Sequence, residues 1–171
     1  MLLKTHNLKF VTCFALFLCV CTMLTGCGAL KRSGITADQF VSIVSDTTGC
    51  STSAVDGAEE AEGVVSGYYA YSDAMKDEND DYACLVEFYQ TENSNYAVAY
   101  YQNIESQLNE LYEEATNKVK SHVTGLNYEV LEMTIDGKYY YAEYLEDTFL
   151  FVYGPSEYKS TLKEVITAIN Y

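Results

Sequence analysis

The sequence is short of cations. Ten lysines and arginines stand against 25 aspartates and glutamates, and the 171 residues carry a formal charge of −15. Nucleic acid and anionic lipid headgroups are thereby excluded as partners, because a polyanion is repelled by both. Histidine is nearly absent too: His6 and His122 are the two in the chain. Nucleophilic catalysis needs a nucleophile, a base and an orienting group that converge in space. His122 is the one imidazole on offer beyond the first residues, and no Gly-x-Ser-x-Gly or comparable motif accompanies it. Tryptophan is missing, proline occurs once, at Pro155, and the sequence shows no internal repeat.

Acid is also missing from the first 30 residues, and that absence carries information. Lys4 and Lys9 precede a run from Phe10 to Leu24 that is apolar or small and uncharged, the n-region and h-region of a signal peptide. The run ends in Leu24-Thr25-Gly26-Cys27, which resembles the lipobox of bacterial lipoprotein precursors. The resemblance implies a diacylglyceryl thioether on Cys27 and cleavage by lipoprotein signal peptidase between Gly26 and Cys27, with Leu24, Thr25 and Gly26 as the recognition residues. Two acyl chains, at about 0.8 kcal/mol per buried methylene, give the stable anchoring that one chain does not. The competing reading is an uncleaved anchor helix over Phe10 to Leu30, just long enough to span a bilayer. Ile35-Thr36-Ala37-Asp38-Gln39-Phe40 and Asp136-Gly137-Lys138-Tyr139-Tyr140 are similar to segments of small uncharacterised lipoproteins of Gram-positive anaerobes. That likeness implies export and an outer-face location, and it carries no catalytic or binding residues.

Three segments follow: 1–26 as leader, 27–35 as lipidated cysteine and polar spacer, and 36–171 as one domain. Removal of the leader leaves 145 residues, enough for one hydrophobic core, and takes the charge to −17. Cys13, Cys19 and Cys21 leave with it, so Cys50 and Cys84 are the pair that remains beside Cys27. An even pair in an exported domain invites a disulfide. The other reading makes Cys84 a small core residue within an apolar strand.

Thr36-Ala37-Asp38-Gln39 reads as a capping box that opens a helix ending near Gly49. The small and acidic stretch from Ser51 to Gly63 reads as a loop, and Val64–Tyr71 with Tyr82–Tyr89 as a hairpin with a long acidic tip. Apolar residues at spacings of three and four from Ala97 to Val119 predict a central helix closed by Lys118, Lys120 and Gly125, which places His122 at a helix end. Strands are expected at Asn127–Ile135, Lys138–Leu145 and Thr148–Tyr153, the first two joined by Asp136-Gly137, a strong hairpin signal. A last helix follows Gly154-Pro155-Ser156. The order α-β-β-α-β-β-β-α predicts an α+β domain with an antiparallel five-stranded sheet and helices packed on one face.

All seventeen tyrosines fall between Tyr68 and Tyr171. On the strand Lys138–Leu145, Tyr139 and Tyr141 face one way and Tyr140 and Tyr144 the other, so one set lies away from the central helix. An open tyrosine face of this kind suits a protein or glycan of the envelope, since the ring offers a rigid apolar body with a polar tip. The stretch Asp77 to Asp81 has oxygens at alternate positions, but an EF-hand needs glycine where Tyr82 stands and glutamate where Phe88 stands. No catalytic residue, no cofactor and no dedicated metal-ligand set is assigned. The expectation is a non-enzymatic, membrane-tethered binding module on the extracytoplasmic face. The alternatives are a cell-envelope hydrolase working through carboxylates and an acidic cation-binding lipoprotein.

Overall fold

The computed structural model of the protein describes residues 31–79 and 81–171. The expected leader, with Leu24, Thr25 and Gly26, and the expected lipidation residue Cys27 lie outside the described residues. Helix α1, Ala37–Thr47, starts where the capping box places it: Gln39 N–H donates to the Thr36 hydroxyl and Thr36 N–H to the Gln39 side chain. Its buried residues Ala37, Phe40 and Val44 recur at three and four positions, one face of a 3.6-residue period. Strands β1, Ser51–Ala54, β2, Val64–Tyr71, and β3, Leu85–Thr91, follow, with a short 3-10 turn at Ala58–Glu60. Helix α2, Ser94–Glu114, is capped by the Asn93 side chain. Then come β4, Lys118–Thr124, β5, Tyr128–Ile135, β6, Lys138–Leu145, β7, Thr148–Pro155, and helix α3, Lys159–Ala168.

The strands form one sheet in the order β1-β2-β3-β7-β6-β5-β4, with every neighbouring pair antiparallel. The expectation of five strands is therefore corrected to seven. Both additions are edge strands. β1 is Ser-Thr-Ser-Ala, without a large apolar residue, and all seven residues of β4 are exposed. Edge strands bury little, so the apolar alternation that reveals a strand in sequence is weak in them. In β4, Val119 also continued the helical spacing of α2; the helix stops at Glu114, and Lys118 and Lys120 belong to the strand.

The second correction concerns layering: helices cover both faces of the sheet. On one face α1 and α3 bring Phe40, Val44, Leu162 and Ile166 onto Val86, Phe88, Leu150 and Val152. Phe40 stacks on Phe88 with ring centroids 4.8 Å apart and planes at 10°. On the other face α2 lays Tyr101 and Leu108 over Leu131, Met133, Ala142 and Phe149. Two-sided cover explains why β6 is buried at successive positions from Tyr139 to Glu143, where a half-covered strand would alternate. The β5–β6 hairpin turns at Asp136 and Gly137, both at positive φ (44° and 82°), the backbone that a tight two-residue turn requires.

The segment before α1 is docked, not a free spacer, from Lys31 onward. Arg32 N–H donates to the Asn127 side chain, whose amide donates back to the Arg32 carbonyl at 2.6 Å. Lys31 pairs with Glu146 on the surface.

Candidate functional site

The chain from Val55 to Ala61, between β1 and β2, folds over the face of the sheet that carries α2, and a cavity of about 340 Å³ lies between them. Tyr89 and Glu87 of β3 and Phe149 of β7 form its floor; Tyr100 and Ile104 of α2 form a wall. The register of β3 with β7 sets Tyr89 opposite Phe149, and their rings stack at 6.4 Å between centroids. Tyr100 meets the same Phe149 ring at 6.4 Å and donates its hydroxyl to the Glu62 carbonyl, which ties the helix to the β1–β2 connection. Gly67 permits the close approach beneath: a Cβ there would lie 2.8 Å from the Tyr89 ring and 2.9 Å from Ala58 Cβ.

Glu87 is the charged group in this aromatic floor. The Tyr89 hydroxyl donates to its carboxylate at 3.0 Å. Burial pushes the Glu87 carboxyl above its ordinary range, and the Tyr89 hydrogen bond opposes that rise only in part. Asp56 brings a second carboxylate to the lining. The pocket thus combines apolar rings with acidic anchors, the usual composition of a small-ligand site.

A second cluster lies where α2 passes the β4–β5 edge. His122, expected at a helix end, is instead on β4 opposite Leu131, and its ring projects toward α2. Its Nε2 is 2.6 Å from Glu129 Oε1, 3.2 Å from the Tyr101 hydroxyl and 4.0 Å from Glu105 Oε1. Tyr101 is fully buried, and its phenol is held well above its ordinary pKa by burial, with the nearby Glu105 and Glu129 charges adding to the effect.

No family model matches the chain. No curated protein matches its sequence. Among solved structures it is similar to a GTP-binding regulator from Thermotoga maritima, with 13% identity, a TM-score of 0.44, and 79% of this chain and 87% of that chain covered. It is also similar to the extracellular domain of PknH from Mycobacterium tuberculosis, with 9% identity, a TM-score of 0.35, and 84% and 99% coverage.

The residues singled out from sequence fare differently. The open tyrosine face is corrected: Tyr139, Tyr140 and Tyr141 are buried and Tyr144 is half-buried, because α3 covers one set and α2 the other. Lys159 of α3 sits 4.8 Å over the Tyr139 ring, and Tyr101 of α2 meets Tyr144 edge-on at 5.4 Å. Cys50 and Cys84 are buried free thiols, so the bridge between them is not formed. At the acidic tip the Asp77 carboxylate accepts the backbone N–H groups of Asn79 at 2.8 Å and Asp81 at 3.1 Å, which holds it below the usual carboxylate range. Asp80 lies outside the described residues.

Sequence reasoning missed Glu87, Tyr89, Phe149 and the Glu105–His122–Glu129 set. For Glu87 a signal was present: it is a lone charge inside the apolar run Leu85-Val86-Glu87-Phe88-Tyr89. For the histidine cluster no local signal exists, since its members come from a helix and two strands.

Proposed function

We propose that the protein is a lipid-anchored, extracytoplasmic binding module that holds a small ligand, or the apolar end of an envelope component, in the pocket under α2. The lipobox Leu24-Thr25-Gly26-Cys27 supports the anchor and the membrane address. Among the described residues no helix is long and apolar enough to cross a membrane. The observation that carries the binding reading is the 340 Å³ aromatic pocket with Glu87 in its floor. Rings of Tyr89, Tyr100 and Phe149 give contact area, and the Glu87 and Asp56 carboxyls select a ligand that presents a hydrogen-bond donor or a cationic group. The proposal is a non-enzymatic module.

Two measurements test it. Intact mass of the membrane-extracted protein, with and without globomycin, reads the anchor: residues 27–171 plus diacylglyceryl, lost under the inhibitor, is the expected result. A full-length unlipidated mass would show an uncleaved anchor helix. For the pocket, NMR screening against small aromatic amines is expected to shift the Tyr89 and Tyr100 ring signals. Shifts spread over other tyrosines, or none in any fragment, would remove the pocket from the reading.

A further inference from the structure

We propose that Glu105, His122 and Glu129 form a site for one divalent first-row transition cation, Zn²⁺ in the first instance. The proposal is independent of the aromatic pocket. One ligand atom from each residue lies within 4.8 Å of the other two. Three separate elements deliver them: α2 carries Glu105, β4 carries His122 and β5 carries Glu129, and the β4–β5 ladder fixes the last two in register, with His122 opposite Leu131 and Thr124 opposite Glu129.

The distances suit the ion. Zinc holds nitrogen and oxygen ligands at about 2.0–2.2 Å, which sets tetrahedral ligand atoms about 3.3 Å apart. Here the imidazole Nε2 stands 2.6 Å from one carboxylate oxygen and 4.0 Å from the other. With all three ligand atoms within 4.8 Å of one another, relative shifts of about 1.5 Å or less convert the hydrogen-bonded arrangement into a coordinating one. The cation takes the position between His122 Nε2 and Glu129 Oε1, which are now within hydrogen-bond distance of each other.

Charge and donor type agree. Two carboxylates and a neutral imidazole offer a charge of −2 to a dication, on a chain that carries −15 overall. Among the described residues both glutamates lie against His122, at 2.6 Å and 4.0 Å, and neither pairs with a lysine or arginine. An imidazole in the set favours zinc-like ions over calcium and magnesium, which take oxygen ligands in greater number. The buried Tyr101 hydroxyl lies 3.2 Å from the same Nε2, so a further oxygen borders the ion's position. His122 is partly exposed, which leaves remaining coordination positions to water or to a ligand from a partner.

The test uses the membrane-extracted protein in detergent micelles, stripped with chelator. Calorimetric titration with ZnCl₂ at pH 7 is expected to show one saturable site, weakened at least tenfold in His122→Gln and in Glu129→Gln and unchanged in Glu78→Gln. On the wild-type protein, sub-stoichiometric Mn²⁺ is expected to broaden the His122 imidazole signal while leaving the ring signals of Phe88, buried on the opposite sheet face, sharp, a readout that needs no variant. Absence of saturable heat, equal affinity in the His122→Gln protein, or equal broadening of the His122 and Phe88 signals overturns the site.

Discussion

The guanidinium of Arg32 lies 2.5 Å from the carboxylate of Glu143, although 111 positions separate them in the chain. Glu143 is fully buried on β6, on the α1–α3 face, and the Tyr141 hydroxyl donates to its other oxygen. A second Arg32 nitrogen donates to the Asn170 carbonyl at 2.7 Å, so one side chain ties the start of the domain to its last residues. A buried charge is tolerated when it is paired and hydrogen-bonded, and Arg32 supplies the pairing.

Burial pushes the Glu143 carboxyl from its ordinary 4.5 up to about 7, against the opposing pull of the Tyr141 hydrogen bond and the Arg32 charge. The folded state therefore holds this proton more tightly than the unfolded chain. The associated stability is present below 4.5 and is lost as the pH rises through about 7. At about 1.4 kcal/mol for each tenfold difference in proton affinity, the loss is a few kcal/mol at most. Urea denaturation at pH 5 and pH 8 is expected to show a smaller difference in Glu143→Gln than in wild type; an equal difference would place the proton elsewhere.

Removal of Arg32 leaves that carboxylate buried without its cation. Arg32→Met is expected to cost about 2–3 kcal/mol, below the 3–5 kcal/mol of fully buried pairs because the arginine is partly exposed. The Arg32→Met, Glu143→Met double variant is expected to recover most of it, as measured by a double-mutant cycle at pH 8.

Tyr89→Phe deletes the hydroxyl that donates to Glu87. The Glu87 carboxyl, already raised by burial, is expected to rise further. Carbon-13 NMR titration of the carboxyls reads this directly, and an unchanged midpoint would mean that the hydrogen bond does not form in solution.

Gly67→Ala places a methyl group 2.8 Å from the Tyr89 ring and 2.9 Å from Ala58 Cβ. Overpacking of this kind costs about 1–3 kcal/mol and narrows the pocket from below. Denaturation midpoints are expected to fall without a change in slope, together with loss of any fragment binding read at Tyr89.

Cys84 lies against Gly154, where a Cβ would come within 2.8 Å of its sulfur, and burial pushes its thiol up to about 11. With Cys50 also buried, both thiols are expected to react with a thiol reagent only slowly in the native protein and rapidly in guanidinium. A mass two hydrogen atoms lighter, with neither Cys50 nor Cys84 free after unfolding, would show a bridge instead.

Several elements were legible because their signals are local. The Thr36–Gln39 capping box, the Asp136-Gly137 turn and the alternation of β6 each involve residues within a few positions of one another. β1 and β4 were not legible because a sheet edge needs few apolar side chains, and Val119 of β4 fell on the helical spacing of α2 by position alone. The tyrosine face failed for a related reason. Alternation on β6 separates Tyr139 from Tyr140, but it does not say that both sides are covered.

The sequence by itself determined where α1 begins, which residues of the inner strands share a side, and, in Leu24-Thr25-Gly26-Cys27, a resemblance to a membrane address. Tertiary structure decided the rest: the two-sided cover of the sheet, the pocket on Phe149, and the meeting of Glu105 with His122 and Glu129. The physical reason is range. Caps, turns and periodicity are fixed by neighbours within a turn or two, whereas these meetings depend on α2 crossing the sheet from β3 to β4 and on strand register across the β4–β5 ladder.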